Sequence, residues 1–243
     1  MSISVALVDY GAGNLLSITQ ALTLLGAEVH PAARASDVDR PDLVVVPGVG
    51  AQGPAMRRLR RAGLTGALER GVAGGAWYLG ICLGMQLLFE RSEEDGSDGL
   101  GWIAGGTRPI PEAPRLPHVG WNEIEALSPH PLLRGLPQHV PFYFVHSYAP
   151  VPADPGVAVA TTQHGGRFVS AVASGRLLGV QFHPEKSGHD GLRVLANVLA
   201  MVAGDGRGSA SGLPGRGAAG LAGAGTRADP GCRRPAVDPE EAD

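Results

Sequence analysis

Cys82 stands in Gly80-Ile81-Cys82-Leu83-Gly84, where an apolar run gives way to a helix-like one. About a hundred residues later a second apolar run ends in His183-Pro184-Glu185. A thiol, an imidazole and a carboxylate form a set that can do acyl transfer: the thiolate attacks, the imidazole moves protons and the carboxylate orients the imidazole. A cysteine by itself is most often a small buried core residue. The paired glycines and the distant His-Pro-Glu turn the reading toward a nucleophile.

Positioning these groups asks for particular elements. Residues 77–81 read as a buried strand and 83–91 as a helix, so Cys82 falls on a sharp strand-to-helix turn. Glycines two before and two after it remove the side chains that such a turn would crowd. The helix start would set unpaired N–H groups near the sulfur and favour the thiolate. Residues 177–182 read as a strand that ends at His183. Pro184 biases His183 toward extended backbone, which lets Glu185 accept from one ring nitrogen while the other faces the thiol.

The 243 residues suffice for one large domain or two small ones, and 44% hydrophobic content is ordinary for a globular chain. A net charge of −3 gives no nucleic-acid or anionic-membrane footprint. Arg57-Arg58-Leu59-Arg60-Arg61 is the one basic run and reads as the solvated face of a helix. Of the 20 basic residues 19 are arginine, and the single lysine, Lys186, follows Glu185 directly. A compact point charge at that place is the functional reading of its solitary status. Cys232, the second cysteine, lies in a low-complexity tail, which argues against a structural disulfide. With no basic leader and no apolar stretch of membrane-spanning length, a reducing cytoplasmic setting is expected.

Strands are expected at 3–8, 42–46, 77–81, 142–146, 157–161, 168–173 and 177–182. Helices are expected at 14–25, 53–73 with a break near Gly63, 83–91 and 189–203. Early alternation of the two predicts βαβ units; the later strands read as antiparallel or mixed. The fold class is therefore α/β, an open mixed, largely parallel sheet flanked by helices. Cys82, His183 and Pro47-Gly48-Val49-Gly50 all fall at strand ends, where chemistry sits in such sheets. Residues 1–203 form the expected domain. Residues 204–243 hold ten glycines and four prolines with almost no large apolar side chains, and read as a disordered extension. Asp9-Tyr10-Gly11-Ala12-Gly13-Asn14 begins like a dinucleotide fingerprint, but Leu16 takes the place of its third glycine, and no P-loop is present. The eight histidines show no metal-ligand spacing. No cofactor and no metal are expected.

Leu79-Gly80-Ile81-Cys82-Leu83-Gly84-Met85-Gln86 together with Gln181-Phe182-His183-Pro184-Glu185-Lys186-Ser187 resembles the class I, or triad, glutamine amidotransferases. Within them, four more segments resemble one family, the glutamine amidotransferase subunits of imidazole glycerol phosphate synthase. These segments are Asp9 to Asn14, Pro47 to Ala51, Pro117-His118-Val119-Gly120-Trp121-Asn122 and Phe142-Tyr143-Phe144-Val145-His146-Ser147-Tyr148. The resemblance spans residues 3 to about 203. It implies a flavodoxin-like amidotransferase fold and a glutaminase in which Cys82 attacks the carboxamide, His183 acts as acid and then base, and Glu185 orients it.

The resemblance also implies an oxyanion hole made by the backbone N–H groups of Leu83 and Val49, the latter in a loop whose glycines let the peptide reorient. By family position Gln86 and Glu94 hold the amino-acid end of glutamine, with Glu94 just beyond the elbow helix. Ammonia would pass to a (β/α)₈-barrel cyclase subunit, giving imidazole glycerol phosphate and aminoimidazole carboxamide ribotide, and Asn14, Trp121, Asn122, Tyr143 and Lys186 would face that partner. Core packing is the competing role for Trp121 and Tyr143. Two positions depart from the family pattern: Gln52, where phenylalanine is frequent, and Trp77-Tyr78, which leads into the elbow strand. The alternatives are another triad glutaminase such as the pyridoxal phosphate synthase type, a non-catalytic subunit that kept the fold, against which the complete Cys-His-Glu set argues, and a cysteine peptidase. The Gly-Trp-Asn and Phe-Val-His-Ser-Tyr segments favour the histidine-pathway family.

Overall fold

Val5, Leu7, Leu43, Val45, Leu79 and Ile81 belong to one apolar cluster, and Ala6, Val8, Val44, Val46 and Tyr78 to a second. Side chains alternate across a strand, so these runs bury both faces of one sheet. The computed structural model describes residues 2–205. In chain order the elements are β1 (Ser4–Val8), α1 (Leu15–Leu24), β2 (Glu28–Ala32), β3 (Leu43–Val46), α2 (Gln52–Arg61), α3 (Leu64–Ala73), β4 (Trp77–Ile81), α4 (Leu83–Gln86), β5 (Phe89–Ser92), β6 (Ile103–Pro109), β7 (His118–Ala126), β8 (His139–His146), β9 (Tyr148–Pro152), β10 (Ala158–His164), β11 (Gly166–Ser174), β12 (Leu177–Val180) and α5 (Gly188–Gly204).

Among the described residues the main sheet has nine strands in the order β2-β1-β3-β4-β12-β11-β10-β7-β8. From β2 to β12 the strands run parallel; from β12 to β8 they run antiparallel. Ile18 and Leu22 of α1 and Val194, Leu195 and Val198 of α5 cover one face. Met56 and Leu59 of α2 and Leu64 and Leu68 of α3 cover the other. The arginines around Leu59 are exposed while Leu59 is buried, so the basic run is a solvated helix face. β5, β6 and β9 make a second, three-stranded sheet.

Several elements depart from the sequence reading, and β7 is a strand that it did not expect. The helix expected over 83–91 lasts one turn, because the Leu87 carbonyl accepts from Leu100 N and the Leu88 carbonyl from Trp102 N, which turns Phe89–Ser92 into a strand. Strands β2, β6 and β9 carry Pro31, Gly105 with Gly106, and Pro150 with Pro152. Such residues read as loops; the prolines are tolerated on the edge strands β2 and β9, and the glycines of the central strand β6 lie where its register with β5 is irregular. α5 continues through Gly204, and Asp205 accepts hydrogen bonds from Arg176 Nε at 2.6 Å and Trp77 Nε1 at 3.1 Å. Both residues are thus held by the domain. The rest of the 204–243 extension, Cys232 included, lies outside the described residues. Among those described, no helix is long and apolar enough to cross a membrane.

Candidate active site

The elbow is built by close backbone packing. A Cβ on Gly84 would lie 1.7 Å from the Val46 carbonyl oxygen, and one on Gly80 would lie 2.3 Å from the Gly84 oxygen. Any side chain at either place would push β4, the elbow and β3 apart. Between them Cys82 adopts φ 53°, a conformation that non-glycine residues seldom take. Its N–H donates to the Val180 oxygen at 2.8 Å, and its carbonyl accepts from Met85 N at 3.0 Å. The Tyr78 hydroxyl donates to the Gly84 oxygen at 2.8 Å. One half of the Trp77-Tyr78 departure therefore braces the elbow from below. α4 has four residues, so its macrodipole is small. The sulfur itself lies 3.8 Å from the Val145 carbonyl, and the N–H of Leu83, the next residue, has no backbone acceptor among the described residues.

His183 follows β12, the neighbour of β4. Its Nδ1 lies 2.9 Å from Glu185 Oε1, and the two side chains are 5% and 1% exposed. His183 Nε2 and Glu185 Oε2 are buried without a hydrogen-bond partner. Burial alone would lower the imidazole pKa, but the Cys82 thiol and the Glu185 carboxylate outweigh it and raise it to about 9. Ser187 locks the turn: its Oγ donates to the His183 carbonyl at 2.7 Å and accepts from Tyr143 N at 3.0 Å. The His183 N–H donates to the Tyr143 carbonyl at 2.9 Å. His183 is thereby fixed from β8 as well as from its own turn.

A cavity of about 150 Å³ opens beside the thiol, lined by Gly50, Cys82, Leu83, Gln86, Glu94 and residues 145–148. Gln86 Nε2 donates to the Tyr148 carbonyl at 2.8 Å and to Gln181 Oε1 at 3.0 Å, and Gln181 Nε2 lies 3.5 Å from Cys82 Sγ. Glu94 lies in the turn after β5, not at the end of an elbow helix. Asp95 accepts from Gly53 N at 2.9 Å, and Gln52 Nε2 donates to the Ser97 carbonyl at 3.0 Å, so the start of α2 holds that turn. The Gln52 departure meets the turn through this bond, while its buried Oε1 has no partner among the described residues. Burial and the adjacent Asp95 raise the Glu94 pKa. A carboxylate that lacks a cation among its neighbours is one that an ammonium group would relieve. Val49 is exposed and Gly50 takes its place in the cavity lining, with φ +89°. The Val49 N–H has no acceptor among the described residues.

The residues expected at a partner face sort unevenly. Trp121 is 59% exposed, which removes core packing as its role. Its ring meets Tyr143 edge-on at 6.2 Å, and Lys186 Nζ lies 5.4 Å from the Tyr143 centroid, a cation–π distance. Asn14 and Asn122 have internal work. Asn14 caps α1, bonding Ser17 N at 3.4 Å and Ser17 Oγ at 2.8 Å. Asn122 Nδ2 donates to the Gln163 carbonyl at 2.9 Å. Sequence reading missed Gln181, Ser187, Asp95 and His146. Gln181, Ser187 and His146 stand inside segments already marked, whereas nothing local singled out Asp95.

The class I glutamine amidotransferase family matches residues 6–201. Imidazole glycerol phosphate synthase subunit HisH of Dehalococcoides mccartyi is 43% identical over 202 residues, covering 83% of this chain and 98% of that protein. The HisH subunits of Moorella thermoacetica and Symbiobacterium thermophilum are 43% and 45% identical, covering 82% of this chain in each case and 95% and 94% of those proteins. The chain belongs to this family. It is a class I glutamine amidotransferase. Solved structures agree on the fold. PurLQS from Thermotoga maritima superposes with a TM-score of 0.68 at 18% identity, covering 83% of this chain and all of that one. A structure described as a glutamine amidotransferase gives 0.65 at 19%, covering 80% and 98%.

Proposed function

We propose that the chain hydrolyses L-glutamine through a Cys82 thioester and delivers the ammonia to a (β/α)₈-barrel cyclase subunit, as the glutamine amidotransferase half of imidazole glycerol phosphate synthase in histidine biosynthesis. The observation that carries the chemistry is the arrangement around the sulfur. Cys82 sits on a strained elbow, His183 is held by Glu185 with its second nitrogen unclaimed, and a cavity bearing Gln86 and Glu94 adjoins the thiol.

The Cys82 thiolate attacks the carboxamide carbon. The oxyanion that forms takes hydrogen bonds from the Leu83 and Val49 N–H groups. The loop carrying Val49 turns at Gly50 to present its own. As the C–N bond breaks, the His183 imidazolium gives its proton to the leaving nitrogen, and ammonia departs from a thioester. Neutral His183 then takes a proton from water, which attacks the thioester and releases glutamate and the thiolate. Glu185 holds the ring through both steps. Gln86 and Glu94 take the amino-acid end of the substrate, Glu94 pairing with its ammonium.

The relatives are named as subunits of a synthase. Leu16, Val49, Leu116, Val119 and Trp121 are exposed apolar side chains, and Val119 and Trp121 share one face of β7. α1, which Asn14 caps, packs against the 184–186 turn that carries Lys186. Lys186 has no carboxylate partner among the described residues. These features support a docking face formed by Asn14, Trp121, Asn122, Tyr143 and Lys186, with products imidazole glycerol phosphate and aminoimidazole carboxamide ribotide made on the cyclase. The composition of the chain after Asp205 supports reading it as an extension appended to the amidotransferase domain.

The test is glutamate release with and without the cyclase subunit, for wild type and Cys82→Ser. Stimulation by the cyclase is expected in wild type. The serine variant should lose at least about three orders of magnitude, while synthesis from free ammonia by the complex should survive. Glutamate release near the wild-type rate from the serine variant would overturn the nucleophile.

A further inference from the structure

His146 lines the cavity beside Cys82, yet hydrolysis gives it no step. Its Nδ1 lies 2.9 Å from the Tyr148 carbonyl. A carbonyl only accepts, so Nδ1 carries the proton. In a neutral ring the lone pair is then on Nε2, which lies 3.2 Å from His118 Nδ1. His118 must donate from that atom, which leaves its own lone pair on Nε2. Asn122 Nδ2 is 3.2 Å from His118 Nε2 and 2.9 Å from the Gln163 carbonyl, so the amide spends both protons. Asn122 Oδ1 accepts from Glu123 N at 2.8 Å, and these backbone bonds fix which way the amide points.

One proton arrangement satisfies the whole set: both rings neutral and both protonated on Nδ1. A proton added to His146 would oppose N–H to N–H, or drive the mismatch on to an amide that cannot turn. The environment agrees. Burial, then His164, lower the His118 pKa to about 4. Burial is also the largest influence on His146, lowering it to about 3 with help from His118, His164 and His183 against the Tyr148 bond. His118 is clamped by stacking, with ring centroids 4.0 Å from His164 and 5.0 Å from Phe144. His164 is held in turn, Nε2 lying 3.0 Å from the Arg115 carbonyl.

The far end of this chain reaches the cavity. The Tyr148 carbonyl accepts hydrogen bonds from His146 Nδ1 and from Gln86 Nε2, and both of these side chains belong to the cavity wall. Were His146 to change tautomer, its Nδ1 lone pair would face the carbonyl lone pairs. The Tyr148 peptide, and Gln86 with it, would have to move. We propose that His118 is a positioning residue for glutamine binding: it holds His146 in the Nδ1–H tautomer and, through the Tyr148 carbonyl, sets the wall of the cavity that receives the substrate, with Asn122 fixing the direction of the chain. This rests on the reading above that the cavity beside Cys82 takes glutamine.

The test separates hydrogen bonding from packing at one position. His118→Asn keeps an N–H donor close to the place of Nδ1 and loses the stacked ring. His118→Phe keeps the ring and loses the donor. For each full-length variant, the glutamine concentration that halves the rate of Cys82 alkylation by iodoacetamide is measured against that variant's own unprotected rate. Nitrogen-15 NMR of the imidazoles reports the His146 tautomer. The phenylalanine variant is expected to need about tenfold more glutamine, because it strands a buried acceptor, and to lose the single Nδ1–H signature. The asparagine variant should stay within about twofold of wild type and keep that signature.

The reverse order would make His118 a packing residue and overturn the proposal, as would equal loss or no loss in both variants. If the phenylalanine variant does not fold, Asn122→Asp carries the test. A carboxylate cannot donate to His118 Nε2, so the same rise is expected, and an unchanged value overturns the proposal. Failure of glutamine to protect wild-type Cys82 would remove the assigned substrate cavity itself. Protection in wild type with the wrong order among variants removes only the role of His118.

Discussion

Two buried histidines flank the same thiol and are driven in opposite directions. The His183 pKa is raised to about 9, and that of His146 is lowered to about 3. Burial disfavours the charged form of both, so burial does not decide the outcome. Partners do. His183 meets a carboxylate and a thiol, whereas His146 meets a carbonyl, another imidazole and no anion. The two also differ in what is left open. His183 Nε2 and Glu185 Oε2 have no hydrogen-bond partner, while both nitrogens of His118 and of His146 are used. The charged, incomplete side suits proton transfer and the neutral, saturated side suits holding a shape.

Glu185→Gln should break that contrast most strongly. The amide keeps the outline and loses the charge, so His183 should fall back toward its ordinary value. Turnover of glutamine is expected to drop on the order of 10²- to 10⁴-fold, read as glutamate release in the complex. Stability carries the same signature. A histidine whose folded pKa is raised from 6.5 to about 9 contributes stability that is fully present below 6.5 and lost as pH rises through 9. Urea unfolding at pH 6 should therefore show wild type more stable than Glu185→Gln, with the gap closing by about pH 10. A gap that ignores pH would mean that the pair is not an ion pair.

The charged side was also the more legible one. Cys82 with its glycines, and His183 with Glu185, are each contiguous in sequence, and each follows an apolar run that could only be a buried strand. The neutral side is assembled across long separations: Gln86 meets Tyr148 62 residues on and Gln181 95 residues on. No local pattern announces such pairs. The same holds for the fold. The parallel strands Leu43–Val46 and Trp77–Ile81 are unbroken apolar runs, whereas β7 interleaves Trp121, Asn122 and Glu123 with only Ile124 and His118 buried. Leu87-Leu88-Phe89 is compatible with helix or strand, and pairing with Ile103 decided it. Glu94 was placed by resemblance alone, since its turn is held by Asp95 and Gln52 from a different element.

Lys186→Ala tests whether the charged side extends outward to the docking face. Lys186 is exposed and rests on the Tyr143 ring, whose centroid is 6.4 Å from that of His183. The loss of an exposed charge should weaken affinity for the cyclase about two- to fivefold and reduce its stimulation of glutamate release, with Cys82 alkylation at the normal rate. Binding is read by titration and alkylation by mass spectrometry on the same preparation. Unchanged affinity and stimulation would make the lysine incidental. Slowed alkylation would move it from the interface into the electrostatics of the thiol.

Tyr10→Phe asks which property, charge or incompleteness, marks the reactive side. The Tyr10 hydroxyl is neutral like His146, because burial and then the Cys82 charge raise its pKa while Arg58 opposes them. It is unsatisfied like His183, being buried with no hydrogen-bond partner. It also lies against the oxyanion loop, where a Cβ on Gly48 would come within 2.1 Å of it. If charge is the mark, this hydroxyl is idle. An idle buried hydroxyl without a partner costs free energy, so its removal should leave stability equal or raise it by up to about 1 kcal/mol, with glutamine turnover within about twofold of wild type. Urea unfolding and glutamate release measure the two. A tenfold or larger fall in turnover at unchanged stability would show that the hydroxyl finds its partner only during the reaction. Unclaimed atoms, and not charge, would then be what distinguishes the working side of this site.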